Sequence, residues 1–317
     1  MIPAPNIQQV VVVGAGLIGS SWATHFLARG LDVTVADPAP GAEQRTRDYV
    51  ERAWPVVARL GLAPQASPTR LRFVASVATA VEGAHFVQEN GPERIELKAP
   101  LFQEIAALAP ADVIIASSSS GLTASALQAG CRHPERCVIG HPFNPPHLIP
   151  LVEIVGGSQT SPETVEAARA FYAHIGKRPI VLHKELPGHA ANRLQAAIWR
   201  EAVHLVNEGV LSVSDVDAAV SWGPGLRWGV MGPHLIFHLG GGQGGMEHFL
   251  THLSGPFSRW WNDLGKPELT PELRAALIAG VQAEAAGRSI AELERQRDEL
   301  LLQLIALRTR AEPPTAP

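Results

Sequence analysis

Residues Val10 to Gly19 read V-V-V-V-G-A-G-L-I-G, and this segment decides the fold of the chain. An apolar β-branched run, Val10 to Val13, leads directly into Gly14-x-Gly16-x-x-Gly19 and then into a helical pattern. A glycine motif of this kind indicates dinucleotide binding when it joins a strand to a helix. A glycine-rich turn in another α/β protein is the alternative interpretation of the motif taken alone.

Each glycine of the motif has a physical role in that interpretation. Gly14 makes the tight turn, Gly16 lets the backbone approach a pyrophosphate, and Gly19 lets the helix pack closely on the strand. The pyrophosphate would bind the free N–H groups at the helix N-terminus, which begins with Leu17 and Ile18, because the helix dipole favours an anion there. These five residues are therefore predicted to bind the cofactor.

A second apolar strand, Asp32 to Ala36, ends in Asp37. An acidic residue at about this separation from the glycine motif accepts hydrogen bonds from the adenosine ribose hydroxyls. The negative charge would repel a 2′-phosphate, so the sequence predicts NAD rather than NADP as the cofactor.

Composition excludes several classes of partner. The chain has 317 residues, enough for two domains, with 46% apolar and 18% charged residues and a net charge of −4. The charges are not in blocks, so we expect no nucleic-acid and no membrane partner. Cys131 and Cys137 match no metal motif, so no metal is expected, and two thiols in a long chain suggest a reducing compartment. Without a signal-peptide pattern or an 18-residue apolar stretch, the predicted location is the cytoplasm.

The order of patterns predicts an α/β fold with a Rossmann-type doubly wound sheet, followed by an all-α C-terminal domain. We predict an NAD-binding domain over 1–184, a helical substrate-binding and dimerisation domain over 185–310, and a disordered tail over 311–317. The first half is predicted to form a parallel sheet with helices on both faces. The predicted strands after Asp37 are 71–74, 85–88, 113–116, 137–141, 151–154 and 178–182. The predicted helices are 42–60, 162–175, 192–209, 214–220, 271–286 and 289–310, of which the last has a broad apolar face suited to packing or to a dimer interface.

A histidine and a glutamate on neighbouring predicted strands are the candidates for acid–base chemistry. His141 ends the predicted strand 137–141, in the segment Gly140-His141-Pro142-Phe143-Asn144-Pro145-Pro146. Glu153 lies inside the apolar strand L-V-E-I-V. A carboxylate in such a strand is costly unless it is paired, and His141 is the natural partner. Such a pair fixes the imidazole tautomer, as a general base requires. Alternatively, His141 is a surface or capping residue and Glu153 an edge-strand charge.

Two further polar segments could complete the site. The run Ser117-Ser118-Ser119-Ser120-Gly121 follows an apolar strand, and its hydroxyls could bind a substrate alcohol or the nicotinamide carboxamide. A serine-rich helix N-cap is the other reading of that run, and both could hold. Asn192 and Arg193 open the first helix after Pro187-Gly188, where an asparagine amide could donate to a developing carbonyl oxygen.

In order and spacing, the segments G-A-G-L-I-G, S-S-S-S-G-L, G-H-P-F-N-P-P, L-V-E and P-G-H-A-A-N-R-L resemble the L-3-hydroxyacyl-CoA dehydrogenase superfamily over residues 8–240. The resemblance implies that Ser120, His141, Glu153 and Asn192 form the catalytic site. It also implies nicotinamide and ribose contacts for the segment containing Glu89, Glu93 and Lys98, with Ser118 nearby. Where the acyl-CoA enzymes have S-N-T-S-S, this chain has Ser118 and Gly121 in place of an asparagine and a serine, which argues against an acyl-CoA substrate.

The segment Ser221 to Trp228, followed by Met231-Gly232-Pro233, resembles the carnitine dehydrogenase branch of that superfamily. The resemblance implies oxidation of the 3-hydroxyl group of L-carnitine to 3-dehydrocarnitine by a homodimer. A quaternary ammonium has no N–H to donate and is best held by aromatic faces. Trp222, Trp228 and Phe143 are candidates for that role, and Arg193 or Arg227 for holding the carboxylate.

Three alternatives to this substrate remain at this stage. The first two are an L-3-hydroxyacyl-CoA dehydrogenase and an L-gulonate 3-dehydrogenase with the same site. The third is a non-catalytic NAD-binding protein similar to λ-crystallin, against which the intact pair of His141 and Glu153 argues. Aromatic residues of a helical domain also often belong to its core, which is the other interpretation of Trp222 and Trp228.

Overall fold

The computed structural model describes residues 1–311 and divides the chain into two compact units, Met1–Arg193 and a second that begins at Leu194. The first unit contains one eight-stranded sheet among the described residues, with the order β3-β2-β1-β4-β5-β6-β7-β8. Its strands are β1 (Gln9–Val13), β2 (Asp32–Ala36), β3 (Leu71–Val74), β4 (Phe86–Glu89), β5 (Ile114–Ser117), β6 (Cys137–Pro142), β7 (Leu151–Gly156) and β8 (Arg178–Leu182). The predicted Rossmann-type sheet is confirmed.

Helices cover both faces of this sheet. They are α1 (Leu17–Ala28), α2 (Ala42–Arg59), α3 (Val77–Val81), α4 (Ile95–Leu108), α5 (Ala124–Gln128) and α6 (Pro162–His174). One core joins the sheet to α1, α2 and α6 through buried side chains such as Trp22, Val50 and Phe171. A second core joins the opposite face to α3, α4 and α5 through Phe102 and Leu127 among others. The strands that helices bury on both faces are nearly continuous apolar runs, as expected for a doubly wound sheet.

The prediction of a parallel sheet is wrong for its last two strands. Strands β1 to β6 are parallel, but β7 pairs antiparallel with β6, and β8 is parallel to β7. The connection between β6 and β7 consists only of residues 143–150. A parallel neighbour needs a crossover of a dozen or more residues, so this connection can only reverse the chain. The reversal places His141 directly opposite Glu153.

The second unit is helical. Its helices are α7 (Ala191–Asn207, which begins in the first unit), α8 (Val213–Trp222), α9 (Pro224–Trp228), α10 (Pro233–Gly240), α11 (Gly245–His248), α12 (Ser254–Asp263), α13 (Pro271–Ala285) and α14 (Ile290–Ala311). One π-helical turn, Phe249–Leu253, joins α11 to α12. Val203, Val216, Phe249, Leu273 and Leu302 are buried. The predicted all-α C-terminal domain is confirmed.

Across residues 1–311, no helix combines the length and apolarity that crossing a membrane would require. Ala311 is the last residue of α14. Residues 312–317 of the predicted tail lie outside the described residues.

Candidate active site

The glycine turn between β1 and α1 has the geometry that each glycine was expected to provide. Gly14 has φ +93°, and a Cβ atom on it would lie 2.7 Å from the carbonyl oxygen of Asn90. A Cβ atom on Gly19 would lie 1.9 Å from the carbonyl oxygen of Gly14, so helix and turn could not pack as they do. A Cβ atom on Gly16 would meet nothing within 4 Å, which leaves open space at the N-terminus of α1. The backbone can therefore be approached closely there.

The groups around this turn fit NAD. The first N–H groups of α1, from Leu17 and Ile18 onward, have no partner within the helix and can bind a pyrophosphate. Half-buried Asp37 accepts hydrogen bonds from the N–H groups of Ala15 (2.7 Å, Oδ2) and Ala39 (2.8 Å, Oδ1). A carboxylate has about four acceptor positions, so two remain for ribose hydroxyls. The carboxylate is held beside the glycine turn by these backbone bonds.

A buried ion pair lies after β4. The Nζ atom of Lys98 is 2.8 and 3.0 Å from the two carboxylate oxygens of Glu89 and 2.9 Å from the carbonyl oxygen of Gly91. Both charged side chains are buried, and Ser117 donates a further hydrogen bond to Glu89 (2.6 Å). Three acceptors saturate the ammonium group. The structure thus places Lys98 behind the Gly91 loop, with its donors already in use.

Glu93 organises the serine-rich loop after β5. One of its oxygens accepts hydrogen bonds from the Ser119 hydroxyl (2.6 Å) and from the N–H groups of Ser120 (2.9 Å) and Gly121 (2.7 Å). Burial acts to raise the pKa of Glu93, but these hydrogen bonds and the charge of Lys98 outweigh it and hold the pKa below its usual range. The Ser120 hydroxyl itself has no hydrogen-bond partner within residues 1–311, so it is available to a substrate.

The hydroxyl groups of the other serines in the run are hydrogen-bonded to protein side chains. The Ser118 hydroxyl accepts from Trp22 Nε1 (3.1 Å) and Gln88 Nε2 (2.8 Å) and donates to Asn90 Oδ1 (2.7 Å). The N-cap of α5 is Thr123, whose hydroxyl accepts from the Ala126 N–H, so the serine run is not the helix cap. Ser118 is therefore placed in a network that ties α1, β4 and β5 together.

His141 and Glu153 form the hydrogen-bonded pair that the sequence predicted. Nδ1 of His141 lies 2.9 Å from Oε2 of Glu153, and both side chains are buried. A carboxylate can only accept, so Nδ1 carries the proton and the neutral ring presents a lone pair at Nε2. The ring of Phe143 meets that of His141 edge-on at 5.7 Å between centroids. The hydrogen bond fixes the orientation of the imidazole ring.

The second oxygen of Glu153 is held by backbone. The N–H groups of Ala190 (2.9 Å) and Ala191 (3.0 Å) donate to Oε1 at the start of α7. Burial acts to raise the pKa of Glu153, but hydrogen bonds from His141, Ala191 and Ala190 prevail and lower it. The carboxylate is therefore ionised and fixed at both oxygens.

The remaining predicted residues lie in both units. In the first unit, Asn192 is in the first turn of α7 and has no side-chain hydrogen bond to residues 1–311, and Arg193 is exposed. In the second unit, Trp222 ends α8 with 79% of its surface exposed. Arg227 is exposed and Trp228 half-buried in α9. Neither tryptophan ring stacks on another aromatic ring in the described part of the chain.

Sequence reasoning missed His189. This buried residue has φ +49°, donates a 2.9 Å hydrogen bond from Nε2 to the Ser119 carbonyl oxygen, and lies 5.1 Å from the ring of His141. The only sequence signal was a histidine within P-G-H-A-A-N. That pattern reveals neither the left-handed backbone conformation of His189 nor its hydrogen bond to Ser119.

Comparison with known proteins gives relatives over nearly the whole length of the chain. The chain matches the family models "3-hydroxyacyl-CoA dehydrogenase, NAD binding domain" over residues 9–186 and "3-hydroxyacyl-CoA dehydrogenase, C-terminal domain" over residues 188–272. It is 49% identical over 300 residues to an L-carnitine dehydrogenase of Pseudomonas putida, covering 95% of this chain and 94% of that one. It is 48% identical over 302 residues to an L-carnitine dehydrogenase of Bacillus cereus, covering 95% and 93%.

Among solved structures, FHMPC 5-dehydrogenase, described as an NAD+-dependent dismutase, superimposes with a TM-score of 0.82 at 32% identity. The superposition covers 96% of this chain and all of that one. The two family models meet within the Leu186–Gly188 segment and together span most of the chain. With its NAD-fitting glycine turn, its paired histidine and glutamate and these relatives, the chain belongs to the 3-hydroxyacyl-CoA dehydrogenase family of NAD-dependent oxidoreductases.

Proposed function

We propose that this enzyme oxidises the 3-hydroxyl group of L-carnitine to 3-dehydrocarnitine by general-base catalysis from His141. The observation that carries the proposal is the buried hydrogen bond between His141 Nδ1 and Glu153 Oε2 at 2.9 Å. The chain that contains this hydrogen bond is about half identical in sequence, over nearly its whole length, to enzymes named L-carnitine dehydrogenase.

The proton step follows from the tautomer of His141. With Nδ1 bonded to the carboxylate, Nε2 accepts the proton of the substrate hydroxyl, and the ring becomes an imidazolium. The negative charge of Glu153 stabilises that cation, and the Ala190 and Ala191 N–H groups keep the carboxylate in place. The bound NAD supplies the hydride acceptor for the substrate carbon.

Two free polar side chains are proposed to orient the substrate oxygen. The hydroxyl of Ser120 and the amide of Asn192 have no hydrogen-bond partners among residues 1–311. Donors fixed toward an oxygen on which charge develops stabilise the transition state more than the ground state. Ser120 is set in place by Glu93 through its backbone, and Asn192 by the first turn of α7.

The charged ends of L-carnitine suggest the remaining roles. A trimethylammonium group binds against aromatic faces, for which Trp222, Trp228 and Phe143 are proposed. The substrate carboxylate is proposed to bind Arg193 or Arg227, whose exposed guanidinium groups can make bidentate contacts.

The test is NADH formation at a fixed NAD+ concentration with purified protein. The substrates compared are L-carnitine, D-carnitine, L-gulonate and L-3-hydroxybutyryl-CoA. Turnover confined to L-carnitine supports the proposal. Turnover only with the CoA ester or with L-gulonate would leave the acid–base pair in place and refute the assignment of the aromatic residues.

We also propose a homodimer formed through the helical unit. Large apolar side chains are exposed on α14, with 73% of Ile290, 59% of Leu300 and 63% of Leu307 accessible. Exposed apolar area of this kind marks association surfaces, and a second copy of the chain is the proposed occupant. Sedimentation equilibrium should give twice the chain mass of 33.8 kDa, and the single-chain mass would refute the dimer.

The cytoplasm is the proposed location, because both cysteines of the chain are free thiols, Cys131 half-buried and Cys137 buried. Fractionation of expressing cells tests this, since recovery of the enzyme outside the cytoplasmic fraction would refute it.

A further inference from the structure

His189 joins two parts of the active site that belong to different segments of the chain. It is buried, follows Gly188 (φ +77°), and itself has φ +49°, a conformation that costs an L residue energy. Its Nε2 donates to the carbonyl oxygen of Ser119 at 2.9 Å. Strained backbone is retained where surrounding contacts hold it, and such positions cluster at functional sites.

The same turn contacts the catalytic pair on its other side. The next two N–H groups, those of Ala190 and Ala191, donate to Glu153 Oε1. The centroids of the His189 and His141 rings are 5.1 Å apart. The turn thus makes two kinds of contact. The His189 side chain binds the Ser119 carbonyl oxygen, and the backbone N–H groups that follow it bind the Glu153 carboxylate.

We propose that His189 is a positioning residue, which holds the Ser119–Ser120 loop at a fixed distance from His141 by its hydrogen bond to the Ser119 carbonyl. This inference rests on the proposed function, because it assumes that Ser120 and His141 act on one hydroxyl group. Ser120 has its own main-chain bond to Glu93, which fixes the loop from one side, and His189 fixes it from the other.

The surroundings of His189 favour a neutral ring, because a protonated Nδ1 would be a buried donor without a partner among the described residues. Because Nε2 donates to a carbonyl, Nδ1 of the neutral ring carries a lone pair, and this atom is buried without a hydrogen-bond partner in the described residues. Burial lowers the pKa of His189, while the Ser119 carbonyl acts to raise it. The facing titratable groups are His141 on β6, which lowers the pKa, and Glu153 on β7 and Glu93 after β4, which raise it. A neutral His189 adds no charge beside His141 when that ring becomes an imidazolium.

Two substitutions separate the hydrogen bond from the packing of the ring. His189→Phe keeps an aromatic ring beside His141 and removes the donor. His189→Gln keeps an N–H donor at a position similar to Nε2. The matched control is His25→Phe, because His25 is equally buried and donates one hydrogen bond of 3.0 Å to a backbone carbonyl, that of Ile175, outside the site.

The first arm measures amide hydrogen exchange over residues 117–123 by mass spectrometry and needs no substrate. Within this range, the N–H groups of residues 119–122 bond to side chains rather than to regular structure, so they report local opening. We expect about tenfold faster exchange in His189→Phe, which is the effect of losing one hydrogen bond. Exchange in His189→Gln should stay near the wild-type rate, and exchange of this loop should not change in His25→Phe. Unchanged exchange in His189→Phe overturns the proposal.

The second arm is a double-mutant cycle with Ser120→Ala, measured as kcat on whichever substrate of the panel the enzyme oxidises. We expect His189→Phe to lower kcat at least about tenfold in the wild-type background with little change in KM for NAD+. In the Ser120→Ala background the further loss should be less than about twofold, because the two residues act as a unit. Equal losses in both backgrounds, or no recovery in His189→Gln, contradict positioning through Ser120.

The two proposals fail separately. Absence of turnover with L-carnitine refutes the proposed substrate, while the exchange of residues 117–123 still decides the role of His189. Turnover with L-carnitine together with unchanged exchange in His189→Phe refutes the role of His189 alone.

Discussion

His141 and Glu153 are directly opposite each other on the antiparallel strands β6 and β7, and their side chains meet at 2.9 Å. Opposite residues of an antiparallel pair project from the same face of the sheet, so the backbone register itself brings the two groups together. The pair is buried, and every polar atom of Glu153 is bound. Among the described residues, His141 is the ionisable side chain that is hydrogen-bonded to Glu153.

Replacing His141 removes the proposed base. His141→Ala should lower kcat by at least ~10²-fold, the usual lower range for general-base catalysis. NADH affinity, measured by fluorescence quenching, should stay near the wild-type value because the glycine turn is untouched. His174→Ala on the exposed end of α6 is the control and should change kcat by less than about twofold. Wild-type turnover in His141→Ala would remove His141 from the mechanism.

Glu153→Gln tests whether the carboxylate charge acts on the base. Gln can still accept the hydrogen bond from Nδ1 but no longer favours the imidazolium. The acid limb of the kcat/KM profile should therefore move to lower pH, because the protonated base loses its counter-charge. Rates measured over a pH series for both proteins give the shift. Coincident profiles would show that the two groups do not interact during the reaction.

The same carboxylate links stability to pH. The pKa of Glu153 is lowered in the folded protein, where burial raises it but the hydrogen bonds from His141 and the backbone prevail. Its stabilising contribution is thus fully present above the ordinary glutamate pKa of about 4.3 and is lost as pH falls through the lower folded value. The difference in Tm between wild type and Glu153→Gln should shrink below about pH 4.

Glu166→Gln is the control for that measurement, since Glu166 is exposed and pairs with Arg169 on the surface of α6. It should change Tm little at any pH. A difference for Glu153→Gln that stays constant down to about pH 3 would contradict the linkage.

Removing Lys98 should leave a buried, unpaired carboxylate at Glu89. Lys98→Met is expected to lower the free energy of unfolding by about 3–5 kcal/mol, and the added change Glu89→Gln should recover much of the loss. Urea unfolding measures both. Arg94→Met breaks the exposed pair with Glu96 and should change the free energy of unfolding little. If Lys98→Met and Arg94→Met lowered the free energy of unfolding by the same amount, the buried carboxylate of Glu89 would not depend on the charge of Lys98.

Trp228→Ala tests the proposed ammonium contact. KM for L-carnitine should rise about tenfold, and KM for a neutral analogue with carbon in place of nitrogen should rise less, because only the cation interacts with the ring quadrupole. Trp54→Ala, at a half-buried tryptophan of α2 in the first unit, is the control and should leave both KM values near wild type. Equal increases for both substrates would count against a cation–π contact.

Much of the first unit could be predicted from local sequence. The β1–α1 turn and the strands were predictable because apolar runs and glycines at fixed spacing are local signals, and all the predicted strands were found within two residues of their bounds. The short segment 143–150 indicates that β7 runs antiparallel to β6, whereas the alternation of strands and helices along the chain predicts a parallel sheet. Helices α3 and α4 were missed because their apolar patterns are short or interrupted by Pro100.

Contacts between distant segments could not be predicted. The partner of His189, the carbonyl group of Ser119, lies 70 residues earlier in the chain. No spacing rule connects such residues, since their contact is a product of the complete sheet. The resemblance to the family suggested Ser118 as a cofactor contact. Its hydroxyl group makes hydrogen bonds with Trp22, Gln88 and Asn90, which the sequence pattern could not reveal.

The reversal between β6 and β7 also makes the acid–base pair a local structure. The loop that brings His141 to Glu153 is residues 143–150, and closing a short loop costs less chain entropy than joining distant strands. Both members of the pair thus lie on one hairpin of two adjacent strands, and their contact does not depend on joining distant segments of the chain. Substitutions in other elements can therefore accumulate without separating His141 from Glu153.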